Sequence, residues 1–196
     1  MEKLILSIVA LFFIVAPADL KTLPEISPMY IEEAMLSEEE NHAAELFNTS
    51  ERRRVYDFKV KNAPVGVEIS TYQLEDGSWR VISRENRQVM NKRGRIALGF
   101  DNIGDGIRVA LQDSETGVVS SYTTDAVADC GDMGWAAGVL SGHEKIGYDE
   151  EKPLILQVVT SGNPVNYYLV QYFYTPEVYE DYDYEQVFAV TIRFYR

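Results

Sequence analysis

A mainly β fold, a two-sheet antiparallel β-sandwich with a short N-terminal helical segment, is what the sequence predicts. Three observations lead there. From Val55 onward apolar residues recur at every second position, the period of strands with one buried face. Turn residues punctuate that alternation at short intervals, with no helix-length segments between the runs to carry the crossovers of a parallel sheet. All 13 glycines of the 196-residue chain lie beyond residue 65, so the N-terminal part is built differently.

The chain begins as an export leader. Lys3 precedes an apolar run, Leu4 to Val15, interrupted only by Ser7. As a helix this run spans about 18 Å, short of a ~30 Å hydrocarbon core. Ala16-Pro17-Ala18 offers small residues where a signal peptidase reads, and Asp19 starts polar sequence. The order matches a secretory signal over 1–18 with cleavage after Ala18. The alternative is an uncleaved N-terminal helix, which would make this segment the protein's membrane contact. Either way the remainder faces the outside of a membrane, as a secreted or cell-envelope protein.

Residues 19–54 carry nine acids, four bases and no glycine. Ser27-Pro28 reads as an N-cap followed by a first-turn proline, and Ser37-Glu38-Glu39-Glu40 as a capping box. One or two short helices between Pro28 and Phe47 are expected, forming a spacer or docking on the domain that follows. Asn48-Thr49-Ser50 matches the glycosylation sequon, which matters only in a host with that machinery.

The domain expected over 55–196 follows as strands. Tyr56, Phe58 and Val60 alternate with Asp57, Lys59 and Lys61, and Val65, Val67 and Ile69 with Gly66, Glu68 and Ser70. Glu75-Asp76-Gly77-Ser78 is a hairpin turn, and Trp79 and Val81 resume the alternation. Ile96-Leu98-Phe100 and Ile107-Val109-Leu111 form two more apolar faces around the turn Asn102–Gly106. Asp113–Gly117 is turn material before a short strand, Val118 to Tyr122. Ala126 to Ala137 has room for a helical turn, weakened by Gly131 and Gly134. Leu154 to Val159 is apolar on both faces, as in a central strand. Ser161–Pro164 turns the chain into a further run, Tyr167 to Tyr174. Val187 to Tyr195 closes the set, with Phe188, Val190, Ile192 and Phe194 on one side. The length suits one core, and no internal repeat is visible.

Composition excludes several function classes. Thirty-one acids against 18 Lys and Arg leave a net charge of −13, the wrong surplus for nucleic acid. One cysteine makes no internal disulfide, and Asp129 and Asp132 beside Cys130 oppose a reactive thiolate. A calcium loop at Asp101–Gly106 fails at Ile103 and Gln112, where oxygen ligands belong, so no metal and no cofactor is expected. Nucleophile-elbow, phosphate-loop and zinc-protease motifs are absent. A glycosidase needs only two carboxylates at a set separation, so an enzyme acting on glycans stays open as the alternative function.

Two stretches stand out as candidate sites. Residues 174–185 hold five carboxylates and four tyrosines. Tyr174, Tyr179, Tyr182 and Tyr184 offer flat apolar faces with hydroxyls, and Glu177, Glu180, Asp181 and Asp183 offer charge. The plain alternative is an inter-strand loop whose tyrosines cover the sandwich edge. The segment Arg80–Arg95 adds a basic patch, chiefly Arg84, Arg87, Lys92, Arg93 and Arg95, against one acid, Glu85. It suits an anionic polymer or partner, unless its arginines pair with local acids.

The segments Gly94–Phe100, Gly106–Gln112 and Pro153–Gln157, with Tyr182-Asp183-Tyr184-Glu185 before Val187–Thr191, resemble small uncharacterised exported proteins of Gram-positive anaerobic bacteria. The likeness covers roughly residues 65–196. It implies export and a bacterial source and brings no known activity, cofactor or site. The expected function is therefore a non-enzymatic binding module of the envelope or extracellular space, with a glycan, wall polymer or protein as partner.

Overall fold

The computed structural model describes residues 29–46, 53–117, 119–128, 133–162, 169–179, 182 and 184–196. The leader, Ser27-Pro28, the sequon and Cys130 with its flanks lie outside them. Strands dominate, arranged as two antiparallel sheets. One has six strands: β1 (Tyr30–Glu33), β2 (Arg53–Lys59), β5 (Arg93–Gly99), β6 (Arg108–Asp113), β7 (Val119–Thr123) and β9 (His143–Lys145). Their order across the sheet is β7-β6-β5-β2-β1-β9. The other has five: β3 (Val65–Glu75), β4 (Ser78–Val89), β8 (Gly134–Val139), β10 (Glu151–Thr160) and β11 (Gln186–Tyr195), in the order β4-β3-β11-β10-β8.

The alternation read from the sequence decides which side chains go inward. Tyr56 and Phe58 of β2, Ile96 and Leu98 of β5, and Val109 and Leu111 of β6 are buried on one face of the six-stranded sheet. Phe188, Val190, Ile192 and Phe194 of β11 are buried with them, in one cluster shared by both sheets. The Phe58 and Phe194 rings lie 5.1 Å apart between β2 and β11. The buried Tyr56 hydroxyl, its ionisation disfavoured chiefly by burial, donates across to the Leu154 carbonyl of β10 at 3.1 Å. β10 lies between β8 and β11, an interior position that its two apolar faces require. At the β3–β4 hairpin, Asp76 (φ 47°) and Gly77 (φ 72°) supply the paired positive angles of a tight turn.

Three expectations need correction. The segment 19–54 is not purely helical. Tyr30–Glu33 is a strand, because Ile31 pairs with Phe58 and is fully buried while its neighbours face outward. The helix α1 (Glu38–Leu46) does form at the capping box. Ser37 N donates to Glu40 Oε2 at 2.8 Å, and Glu40 N donates to Ser37 Oγ at 3.2 Å. The sheet therefore begins before residue 55. Next, the Tyr167–Tyr174 run is not extended where it is described: Val170–Tyr174 is a 3-10 turn. Finally, the glycine-weakened helical turn before Ala137 gives way to β8, which pairs with β10 along its length.

Candidate functional site

The inner strands of the five-stranded sheet, β10 and β11 above all, are buried on both faces. Val187, Ala189 and Thr191 of β11 alternate with Phe188, Val190 and Ile192 and so face the other side of the sheet, yet they too are buried. Their cover is two consecutive 3-10 turns, Val170–Tyr174 and Pro176–Tyr179, the body of the tyrosine-acid segment. Phe173 is the anchor. Its ring meets Tyr72, the register partner of Ala189, edge-on at 5.5 Å. Trp79 stacks on it at 5.2 Å.

That cover divides the candidate tyrosines. Tyr179 is buried and packs edge-on against Tyr172 and Tyr184, so it belongs to the fold rather than to a surface. Tyr174 is 55% exposed while its hydroxyl donates to the Glu151 carbonyl at 2.9 Å. Tyr182 is 48% exposed and lies stacked on Tyr184, centroids 5.3 Å apart and planes 18° from parallel. Beside this pair, at the tip of the β3–β4 hairpin, is a depression of about 150 Å³ lined by Asp76, Gly77, Pro176, Tyr182, Tyr184 and Glu185. Glu177 is exposed. Glu185 accepts from both the backbone N–H and the hydroxyl of Ser161, which holds its carboxyl below the usual range. Glu180, Asp181 and Asp183 lie outside the described residues.

The arginine segment is not a loop. It is β4, a turn and the start of β5, and it passes from the edge of one sheet into the other. Its side chains consequently separate. Arg84 reaches Glu68 at 3.6 Å, and Arg87 pairs with Glu85 at 3.1 Å while standing over the Tyr122 ring. Arg95 bonds Asp57 at 2.8 Å and Glu40 of α1 at 2.5 Å, fastening the helix to the outward face of β2 and β5. Lys92 and Arg93 are exposed at the turn. Pairing with acids removes most of the positive field that the composition suggested.

One pair of glutamates has a defined relation through β11. Glu68 and Glu151 are the register partners of Arg193 on its two sides. Glu68 bridges Arg193 at 2.9 Å and Arg84, and Glu151 Oε1 accepts from Tyr72 and Thr191 hydroxyls, each at 2.6 Å. Burial and then Glu151 hold the Tyr72 phenol in its protonated, donating form. Both carboxylates are tied into the outer face of the sheet.

Elsewhere, Asp101–Gly106 forms a 3-10 turn in which Asn102 Oδ1 accepts from Gly104 N at 3.1 Å. Among the described residues no group of three His, Cys, Asp or Glu could hold a metal ion, and no helix is long and apolar enough to cross a membrane. No family model, curated protein or solved structure matches the chain.

Sequence reasoning missed the larger depression, about 620 Å³ on the outward face of the six-stranded sheet, with Arg53 and Arg108 on its flanks. A signal was present. Ala97, Gly99 and Ala110 occupy outward positions of β5 and β6, where long polar side chains are the norm.

Proposed function

We propose that the chain is an exported, non-enzymatic binding module, a β-sandwich carried behind its N-terminal leader, that holds a glycan on the surface formed by Tyr182 and Tyr184 beside the β3–β4 hairpin tip. The observation that carries this reading is the Tyr182–Tyr184 stack. A ring fixed from behind presents a flat apolar face at little further entropic cost, and sugar rings have apolar faces of matching size. Glu177, also exposed, adds an acceptor-only carboxylate for sugar hydroxyls. A wall polymer or a protein surface is the competing occupant. Export rests on residues 1–18, and the mass of the native N-terminus distinguishes cleavage after Ala18 from a retained anchor.

The test is retention of the full chain on glycan and wall-polymer arrays, with product analysis of every hit. Retention without bond cleavage, lost in the Tyr182→Ser/Tyr184→Ser double variant, is the expected result. Unchanged retention in a double variant that melts like the parent overturns the assignment of the surface. Turnover abolished by Glu151→Gln would establish the enzymatic alternative instead.

A further inference from the structure

We propose that the outward face of the six-stranded sheet carries an anion-binding groove, centred on Gly99 between Arg53 and Arg108, for a phosphate group borne on a polyol. The register places the three residues in one row. Arg53 of β2 and Arg108 of β6 are both direct partners of Gly99 of β5. All three face outward, because the alternate residues Leu98 and Val109 are buried. With strands about 4.8 Å apart, the two arginine Cα atoms stand about 10 Å apart across the glycine, within reach of one shared anion.

The floor is low because its side chains are small. Ala97, Gly99 and Ala110 form it, and the hydroxyl residues Ser121 and Thr123 of β7 line the far wall. A Cβ at Gly99 would have the Arg108 side chain as its only neighbour within 4 Å, at 3.9 Å, so the space above it is open. The volume of about 620 Å³ is that of a site for a small organic ligand rather than a bare ion.

Charge identifies the ligand. Arg80, Arg84, Arg87, Arg95 and Arg193 each bond a carboxylate. Among the described residues Arg53 and Arg108 bond none; their cross-strand partners are Gly99 and Thr123, the floor between them is alanine and glycine, and the exposed acids Asp101 and Asp125 stand only at the end of the groove. In a chain of net charge −13, two guanidiniums left without acids form a local positive site against the prevailing field. The guanidinium fork matches phosphate oxygens two at a time. Hydroxyls along the wall suit the oxygens of a polyol, and the shallow alanine floor suits its carbon chain.

This groove and the tyrosine surface lie on different sheets, so either proposal fails without the other. Calorimetric titration of the full chain tests it with inorganic phosphate, glycerol phosphate, poly(glycerol phosphate) and a single-stranded oligonucleotide. The expected result is salt-sensitive binding of glycerol phosphate or its polymer, weakened at least tenfold by Arg53→Gln/Arg108→Gln. Arg108→Lys keeps the charge but loses the fork and should also weaken binding. Gly99→Val fills the floor in a strand that favours valine, and should abolish binding while the melting temperature holds. Binding by the glycerol phosphate monomer assigns a free ester, and binding by the polymer alone assigns the chain. Equal affinity for inorganic phosphate or the oligonucleotide overturns the polyol assignment. No binding of any probe, or binding indifferent to both Arg108→Lys and Gly99→Val, overturns the groove.

Discussion

Trp79 donates its indole N–H to the Phe173 carbonyl at 2.8 Å while the two rings stack at 5.2 Å. A hairpin strand and a covering turn, 94 residues apart in the chain, are thereby closed by one pair. Removing the donor with Trp79→Phe should cost about 1 kcal/mol, the net worth of a hydrogen bond. Phe173→Ala should cost about 3 kcal/mol or more, because a large buried ring leaves a cavity over β11. Urea unfolding followed by far-UV circular dichroism gives both values. Equal costs for the two would mean that the cover is held by the hydrogen bond and not by the ring.

Gln157 is a fully buried polar side chain within the apolar run Leu154–Val159 of β10. Its Oε1 accepts from the buried Ile103 N–H at 2.8 Å, tying β10 to the 3-10 turn before β6. Gln157→Leu keeps the volume and removes the acceptor. An orphaned buried N–H costs about 1–3 kcal/mol, and removing the unpartnered Gln157 Nε2 offsets part of that, so the variant should be destabilised by about 1 kcal/mol. Amide exchange at Ile103 should quicken with it. A stabilised Leu variant would show that the turn finds another acceptor.

Gly94 and Gly66 make a controlled comparison. A Cβ at Gly94 would sit 2.4 Å from the Phe58 ring and 2.7 Å from the Gln112 carbonyl, both immobile in the core. A Cβ at Gly66 would sit 2.4 Å from the Tyr195 ring, which is only half-buried. Gly94→Ala should therefore cost about 2 kcal/mol or more, the scale of an overpacked core. Gly66→Ala should cost clearly less, since Tyr195 can swing aside. Paired thermal melts decide the order.

Much of the architecture was legible, and the gaps have physical causes. Strands with one apolar face, such as Tyr56-Phe58 and Phe188–Phe194, announced themselves by their period. The start of β4 did so at Trp79 and Val81, but its continuation to Val89 did not, because an edge strand carries charges on both faces, and Arg87 points back over Tyr122 from that edge. β8 was obscured by Gly134 and Gly138, which lower strand propensity while still pairing in register with Thr160 and Leu156. The aromatic run before Tyr174 looked like a strand because it is apolar on several sides, as a cover pressed onto a sheet also must be. The tyrosine segment was visible as composition, but only packing could separate buried Tyr179 from exposed Tyr182. The Arg53–Gly99–Arg108 row depends on the register of three strands and has no linear signature.

Acid should loosen the protein through carboxylates that the fold keeps ionised. Asp113 accepts from Asn91, which lowers its carboxyl most, and then from the Thr116 and Glu115 backbone N–H groups. Glu40 is lowered first by the Ser37 backbone N–H and then by Arg95, and Glu185 by Ser161. Each folded value lies below the ordinary one, 3.8 for the aspartate and 4.5 for the glutamates. A depressed carboxylate stabilises fully above its ordinary value, and that contribution is lost as pH falls through the lowered folded value. The urea midpoint should thus be level from neutral pH down to about 5 and then fall with further acid. Asp113→Asn removes one of these charges, so its midpoint should start lower at neutral pH and converge on the parent in acid. Parallel curves for the two proteins down to pH 2 would show that Asp113 contributes through its hydrogen-bond geometry and not through its charge.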